Sequence, residues 1–342
     1  MKLKVAVYNV EWMSHLFDSN GNPKASGAEA ARAAQLGKVV AKMSPDILGI
    51  VEGPDTTVSG SKSASQQLEK WAAGQGLHAS FKGVHGFPSN GQQELCALYR
   101  SDKVNVKFKP EKKQSKHPFN EQFLVDTSDT LIKEAYKHYR APLELQVLSL
   151  TSPAKEVARV IVAHTKSKGI FDNVDIARFE QLSERNRKKL YAECLSVRER
   201  CDQWLTDEPK RNVVVMGDIN DGAGMDYYER RFSRSAVELL MGDPWQPDIQ
   251  MKHVLPKPKI DSKGWVPYSS DFRDALTEFK VNVLIDHMLV SRNVKVSDAT
   301  VWNPHLKANS GIAAIQSVKT ELDKASDHYP VMATLEMTPI ST

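Results

Sequence analysis

The sequence predicts a layered fold in which helices and β-strands are mixed. Eight short runs rich in β-branched and other apolar residues are bounded by polar, Gly or Pro residues, which is typical of buried strands. The strands do not alternate regularly with helices, so a mixed sheet fits better than a doubly wound parallel one. The predicted strands are residues 5–10, 47–51, 95–99, 143–150, 157–163, 213–216, 283–290 and 331–335.

Two segments predict long helices. Residues 28–43 repeat apolar side chains at helical spacing and stop before Pro45, whose predecessor is driven away from helical geometry. Residues 175–205 carry the longest helical pattern. The predicted strands 143–150 and 157–163 are separated only by a short polar loop, which predicts a hairpin and therefore an antiparallel pair.

Two long loops are predicted within a single domain that spans residues 1–342. Residues 242–280 carry five prolines, and residues 101–138 carry a cluster of lysines. Long irregular loops in a compact domain are usually functional or disordered. The cluster is either a solvated loop or a contact to a phosphate backbone, because it makes a local excess of positive charge. Its members are Lys103, Lys107, Lys109, Lys112, Lys113 and Lys116.

The composition predicts a soluble, unexported protein. A net charge of +4 is compatible with a polyanionic substrate, although many unrelated enzymes are equally basic. Three cysteines are too few and too odd in number for a disulfide framework, which favours a reducing compartment. The first residues predict a strand rather than a signal peptide, and no apolar run is long enough for a membrane span. We therefore expect a cytoplasmic location and no membrane partner; the oligomeric state is not indicated.

Acidic, amide, histidine and lysine side chains follow one predicted strand after another. A single carboxylate after a strand more often caps a helix or forms a turn. Strand ends of one sheet lie side by side, however, so the whole set is expected to converge on one crevice. Converging carboxylates repel one another, and a bound divalent ion removes that conflict. Hard oxygen ligands without a cysteine cluster favour Mg²⁺ or Mn²⁺ over zinc. The set is Asn9, Glu11, Glu52, His164, Lys166, Asp218, Asn220, Asp286, His287, Asp327 and His328.

These segments resemble the ordered motifs of the endonuclease/exonuclease/phosphatase superfamily. The resemblance runs from Asn9 to Pro330 and rests on YNVEWM, IVEG, HTKS, GDIND, IDHMLVS and SDHYPV, of which GDIND and SDHYPV are the most specific. LYRSDKV and YRAPLEL are weaker and are similar to segments of the deoxyribonuclease I branch. The resemblance implies a four-layered α/β sandwich, two packed mixed β-sheets flanked by helices, with the active site at one edge.

The resemblance also implies an activity: a divalent-metal-dependent phosphodiesterase that hydrolyses nucleic acid, with DNA as the expected partner. It implies Mg²⁺ or Mn²⁺ as the cofactor. The metal ligands that it implies are Glu52, Asn9, Asp327 and Asp218.

The same resemblance implies roles for the other residues. It makes His328 a general base or a proton handler at the phosphate, with Asp286 orienting its ring. Asp218 and Asn220 would position the attacking water and the scissile phosphate, unless Asp218 binds a second metal. His164 would contact the phosphate or protonate the leaving group. The implied substrate-binding residues are Arg140 and Asn220, and Lys166 joins them if the backbone turns after His164 and brings its positive charge near the phosphate.

Two alternatives remain open at this stage. One is a phosphomonoesterase or a phospholipase-type phosphodiesterase that acts on a small or lipid phosphate. The sequence shows neither an apolar membrane-facing hairpin nor the extra basic motifs of inositol-phosphate phosphatases. The other is a catalytically inactive binding module, yet every core motif position carries a workable side chain.

Two further groups have structural interpretations. His287 follows Asp286 within an apolar run, so alternation turns it to the opposite face and favours a packed histidine. A basic run in the long predicted helix is expected to form its solvated face. That run comprises Arg185, Arg187, Lys188 and Lys189.

Overall fold

The computed structural model describes residues 1–341 except 58–61, 90–92, 112–116, 128–130, 171–173, 223–228, 233, 257–258, 262 and 274–277. Lys112, Lys113 and Lys116 of the predicted lysine cluster lie outside the described residues. The helices are α1 (Gly27–Met43), α2 (Ala64–Gly74), α3 (Ile176–Asp207), α4 (Ala236–Met241), α5 (Ala313–Gln316) and α6 (Lys319–Ala325).

The strands are short, as their sequence pattern predicts. They are β1 (Lys2–Asn9), β2 (Ile47–Gly53), β3 (Phe81–His85), β4 (Glu94–Arg100), β5 (Asn105–Phe108), β6 (Gln122–Val125), β7 (Glu134–Lys137), β8 (Leu143–Leu148), β9 (Lys155–His164), β10 (Val213–Asp218), β11 (Met251–His253), β12 (Lys259–Asp261), β13 (Gly264–Val266), β14 (Ser270–Arg273), β15 (Lys280–Val283), β16 (Asp286–Ser291), β17 (Lys295–Val301), β18 (Val331–Glu336) and β19 (Ile340–Ser341).

Two large mixed sheets organise the chain. The first has the strand order β17-β18-β1-β2-β4-β3, and the second has the order β11-β16-β10-β9-β8-β5, with β19 paired to β9. Each is built on a central strand with one parallel and one antiparallel neighbour. In the first sheet β1 runs parallel to β2 and antiparallel to β18. In the second, β10 runs parallel to β9 and antiparallel to β16.

Alternation of side chains along the central strands creates the layers. Val7 of β1 and Met216 of β10 belong to the core between the two sheets. Tyr8, the next residue of β1, faces the helices α1, α2 and α6 on the outer side of the first sheet. Val215 faces α3 and α4 on the outer side of the second sheet. The fold is therefore the predicted four-layered α/β sandwich, because a period of two places successive residues on opposite faces of a strand.

A glycine lets the two sheets approach each other closely. Gly49 of β2 faces the second sheet, and a Cβ atom there would lie 2.7 Å from Cε of Met216. The missing side chain lets the two sheets pack tightly beneath the ends of their central strands.

Local signals set the ends of the long helices. Helix α1 ends at Met43, and Ser44 takes a left-handed conformation with φ 48° just before Pro45. Helix α3 begins after Asp175, whose side chain accepts a hydrogen bond from the backbone N–H of Arg178.

The prediction of one strand over residues 283–290 was wrong. Val283 ends β15, which belongs to a small sheet with the order β12-β13-β15-β14, and Asp286 begins β16 in the second large sheet. The chain turns between them because the Oγ of Ser269 accepts hydrogen bonds from the N–H groups of Ile285 and Asp286. The apolar pattern of residues 283–290 does not predict this turn, because the turn depends on a contact with Ser269, which lies outside that run.

The two predicted long loops also contain strands. Residues 101–138 include β5 and the two-stranded hairpin β6–β7, and residues 242–280 include β11 to β14. These strands have three or four residues each, too few to show a period of two in the sequence. The hairpin packs on α3 through Phe123 and Val125.

No helix in the described ranges combines the length and the apolar character that crossing a membrane would require.

Gly217 provides a test of how tightly β9 and β10 pair. It has φ +153°, and a Cβ atom there would lie 1.8 Å from the carbonyl oxygen of Ala163 on β9. Gly217→Ala should therefore lower the free energy of unfolding by more than about 1 kcal/mol, measured by urea denaturation. The matched control is Gly74→Ala at the end of α2, where no heavy atom lies within 4 Å. The control should be neutral or stabilising by less than about 1 kcal/mol, and equal midpoints for the two variants would contradict the close pairing.

Candidate active site

The first sheet delivers three predicted site residues to one rim. Asn9 is the last residue of β1, and Glu52 is the last but one of its parallel neighbour β2. His328 lies just before the antiparallel neighbour β18. The Oγ of Ser326 donates to the backbone oxygen of Asn9 at 2.7 Å and accepts from the backbone N–H of His328 at 3.1 Å. This serine therefore ties the segment before β18 to the end of β1.

The second sheet delivers the equivalent three positions. Asp218 is the last residue of β10, and it pairs in register with His164 on parallel β9 and with Asp286 on antiparallel β16. The parallel strands end and the antiparallel strand begins at the same edge. Both sheets thus bring polar side chains to one rim, where all six predicted residues of these strands come together.

Asn9 connects the two sheets at this rim. Its Nδ2 donates to Oε1 of Glu52 at 3.4 Å and to Oδ2 of Asp218 at 3.1 Å. Its Oδ1 accepts the backbone N–H of Glu11 at 3.1 Å, which fixes the direction of the amide. Asn9 could bind a metal only through Oδ1, and its amide would first have to rotate, because Oδ1 accepts the N–H of Glu11.

Glu52 is held by donors from three directions. Besides Asn9, the backbone N–H of Trp12 donates to Oε2 at 3.1 Å and Nε2 of Gln93 donates to the same oxygen at 2.7 Å. Burial raises the pKa of Glu52, opposed by the Trp12 N–H and by the charge of Arg140. Gln93 was not predicted, because it lies in a polar run before β4 that carries no motif.

His328 and Asp286 form a buried ion pair. Nδ1 of His328 donates to Oδ2 of Asp286 at 2.7 Å. Burial alone would lower the pKa of His328, but the Asp286 carboxylate outweighs it and the pKa is raised to about 10. Nε2 of the ring lies 3.9 Å from Oδ2 of Asp218 and 3.9 Å from Oδ1 of Asp327. His328 is therefore an oriented imidazolium at neutral pH.

Asp218 lies at the centre of the rim. Burial, followed by the charge of Asp286, raises the pKa of Asp218 to about 7. The backbone N–H of Asn220 donates to its Oδ1 at 2.9 Å. Asn220 has φ 51°, and its Nδ2 donates to the backbone oxygen of Thr165 at 3.0 Å. The turn after β10 is thus anchored to the end of β9.

His164 is a neutral histidine. Burial and the nearby charge of Arg140 hold its pKa well below the usual range. Its Nε2 lies 3.6 Å from Oδ2 of Asp218 and 4.0 Å from Oε1 of Glu52. Its Nδ1 is buried and has no hydrogen-bond partner among the described residues. A neutral ring beside two carboxylates presents an N–H toward the rim.

Arg140 and Lys166, the predicted phosphate contacts, lie on neighbouring segments. Nε of Arg140 is buried without a hydrogen-bond partner in the described part of the chain, and the charges of Glu52 and Asp218 act on its guanidinium. Burial, followed by the charge of Lys189, lowers the pKa of Lys166. Both side chains therefore place positive charge beside the rim.

A buried glutamate of α3 holds these segments together. Oε2 of Glu193 accepts the backbone N–H of Lys166 at 2.7 Å, and Oε1 accepts that of Tyr139 at 3.4 Å. Burial raises the pKa of Glu193 to about 7, against the opposing charge of Lys189. Its function was missed, although a signal exists: it lies on the apolar face of α3, three residues after Leu190.

The rim fits a cation. One carboxylate oxygen each of Asp218 and Asp286 and one ring nitrogen of His328 lie within 4.8 Å of one another. A protonated ring has no lone pair for an ion, so the two carboxylates are the donors of this group. Oδ1 of Asp286 is buried and has no hydrogen-bond partner among the described residues. Of the four predicted ligands, this group contains only Asp218. Glu52 lies across Asn9 from it, and the carboxylate of Asp327 is 62% exposed.

His287 lies behind the rim, as alternation predicts. Its Nε2 donates to the backbone oxygen of Asp221 at 2.7 Å, and its Nδ1 lies 2.8 Å from Nε2 of His253. Its ring is buried and packs within the fold.

Comparison with known proteins identifies the fold. No family model matches the sequence, and no curated protein matches it. An endonuclease/exonuclease/phosphatase from Bacteroides vulgatus is 14% identical, with a TM-score of 0.52 over 99% of this chain and 100% of that chain. TDP2 from C. elegans is 13% identical, with a TM-score of 0.51 over 98% of this chain and 75% of that chain. The chain has the fold of the endonuclease/exonuclease/phosphatase superfamily, as its motifs predicted.

The ion pair between His328 and Asp286 can be tested by titration. In the metal-free protein the ring of His328 should stay protonated until the pH approaches about 10. Asp286→Asn removes the charge that opposes burial, so the pKa of His328 should fall by about 1–3 pH units. NMR of the labelled imidazole measures this shift. Asp327→Asn is the control, because its carboxylate is exposed and should matter less. Equal effects of the two variants would contradict the assigned pair.

Proposed function

We propose that this protein is a divalent-metal-dependent phosphoester hydrolase whose substrate is a nucleic acid, most simply DNA. The observation that carries the proposal is the position of Asp218. Its carboxylate lies 3.6 Å from the neutral ring of His164 and 3.9 Å from the charged ring of His328. A carboxylate, a neutral donor and a charged donor therefore surround one point, and groups of these kinds assist the hydrolysis of a phosphoester.

Asp218 suits the activation of water. Its carboxylate is fixed at the centre of the rim, where it can accept a hydrogen bond from the attacking water and orient it. The N–H of Asn220 holds one of its oxygens, so the other faces the rim and the two histidines. We assign Asp218, oriented by Asn220, to the attacking water.

The two histidines suit different tasks at the phosphate. The Asp286 carboxylate favours the charged form of His328, which would donate its Nε2–H to a phosphate oxygen and stabilise the charge that develops there. His164 is neutral, so its N–H donates to the phosphate or to the leaving oxygen. Of the two roles considered for His328, its charge favours the phosphate side.

The carboxylates suit a hard cation. Glu52 and Asp218 would hold Mg²⁺ or Mn²⁺, because oxygen donors favour these ions and both carboxylates face the Asn9 amide. When bound, the ion would polarise a phosphate oxygen and offset the negative charge of the rim. Without the ion, the hydrogen bonds from the Asn9 amide hold the two carboxylates side by side.

The proposed hydrolysis is tested with plasmid and single-stranded DNA, each with Mg²⁺, Mn²⁺ or EDTA. Cleavage should require the metal, and Asp218→Asn and His328→Gln should each lower kcat by roughly 10²–10⁴-fold. Lys210→Gln is the control, since Lys210 is exposed before β10 at the opposite end from Asp218. Phosphate release from a monoester without cleavage of DNA would replace the nuclease by a phosphomonoesterase, and full activity in both site variants would refute the assigned site.

Arg140 gives a second test of phosphate recognition. Arg140→Lys keeps the charge but loses the planar fork that matches two phosphate oxygens. We expect kcat/KM for DNA to fall about tenfold in this variant, and further in Arg140→Gln, because the charge-assisted hydrogen bonds are lost. Steady-state kinetics of both variants beside Lys210→Gln measure the effect. Unchanged kinetics in Arg140→Gln would remove this residue from the substrate contacts.

A further inference from the structure

A basic cavity lies beside the candidate active site. It has a volume of about 550 Å³ and is bounded by α3, by β7 and by the segment after β9. Four cations line it against two acidic residues, Glu134 and Glu184. The cations are Lys166, Arg185, Lys188 and Lys189. Three of them come from the run on α3 that the sequence predicts as a solvated face, so this face lines a cavity as well.

Two of the four cations have no acidic partner within the described part of the chain. Lys188 lies 3.5 Å from Glu184, and Lys189 lies 3.9 Å from Glu193. Among the described residues, neither Lys166 nor Arg185 has a carboxylate within 4.0 Å. Like charges held together in a cavity repel, so an anion bound between them would be favourable.

The cavity and the active site share a wall. Lys166 follows His164 by two residues, so their Cα atoms are at most about 7 Å apart. The ring of Tyr139 is 54% exposed; Cζ of Arg140 lies 4.9 Å from its centroid and Nζ of Lys189 lies 5.9 Å from it. A cation of the active site and a cation of the cavity therefore both lie close to one aromatic ring.

We propose that this cavity is a subsite for a second phosphate of a polynucleotide, the phosphate next to the one being hydrolysed, and that a base between them stacks on Tyr139. The inference rests on the proposed function and narrows its substrate. Phosphates recur along a strand about every 3.4 Å of helix axis, so the offset between His164 and Lys166 corresponds to one or two nucleotides. Exposed aromatic rings beside cations are typical of single-strand binding surfaces. A small phosphoester with a single phosphate has no second phosphate for this cavity.

Arg185→Gln isolates the subsite. The side chain of Arg185 is exposed, so its replacement should not affect folding. Two substrates are compared: bis(p-nitrophenyl) phosphate, which has one phosphate, and a single-stranded oligonucleotide. Arg185→Gln should raise KM for the oligonucleotide about fivefold or more and leave the small diester unchanged. It should also reduce the salt dependence of oligonucleotide binding by about 0.7 in the log–log slope. Lys210→Gln should change neither substrate.

A neutral linkage locates the phosphate. A methylphosphonate placed at each position of the oligonucleotide in turn removes one negative charge. At one position next to the cleaved bond, the methylphosphonate should weaken binding to the wild type as much as Arg185→Gln does. At that position it should not weaken binding to the Arg185→Gln variant any further. Tyr139→Leu should raise KM for the oligonucleotide more than for the small diester, because it removes the stacking ring as well as the surface on which Arg140 packs.

The outcomes separate the two proposals. If the wild type cuts both substrates but Arg185→Gln affects both equally or neither, or if no linkage position behaves as described, the subsite is wrong and the proposed function stands. If the wild type cuts neither substrate with any divalent metal, the proposed function is wrong, and the subsite that rests on it is wrong as well.

Discussion

The site depends on one constraint: buried carboxylates from two separate sheets must lie side by side. The side-chain amide of Asn9 satisfies this constraint, because its Nδ2 donates both to Glu52 of the first sheet and to Asp218 of the second. Close packing below makes this bridge possible, since Gly49 lets the sheets approach. The rim therefore depends on packing well inside the sandwich.

The ionisable groups around the Asn9 bridge differ in their protonation state. Asp286 fixes a proton on His328, while burial keeps His164 neutral, so two histidines a short distance apart differ in charge. Glu193 of α3 accepts hydrogen bonds from the backbone N–H groups of Lys166 and Tyr139 and so orders the backbone there. Electrostatic preorganisation of this kind is built by partners that do not themselves touch a substrate.

Much of the fold and of the rim could be predicted from the sequence, because strands end where polar residues begin. Asp218 and His328 follow this rule, since each adjoins a buried strand. The rest depends on contacts between distant segments: Gln93 reaches Glu52 from a loop, and the strand predicted over residues 283–290 is broken by Ser269. No local pattern encodes such contacts. The cavity was not predicted for the same reason. The sequence pattern of a basic run on a helix is the same whether water or a hairpin lies over it.

The pairing of β1 with β18 has a consequence for biosynthesis. The first strand of the chain is complete only when residues from its far end lie against it, as the register from Lys2 with Glu336 shows. On the ribosome, the edge of β1 that pairs with β18 stays unpaired while six of the seven strands of the second sheet are translated. Nascent chains therefore carry this open strand edge until β18 has been made, the state in which aggregation and chaperone capture compete with folding.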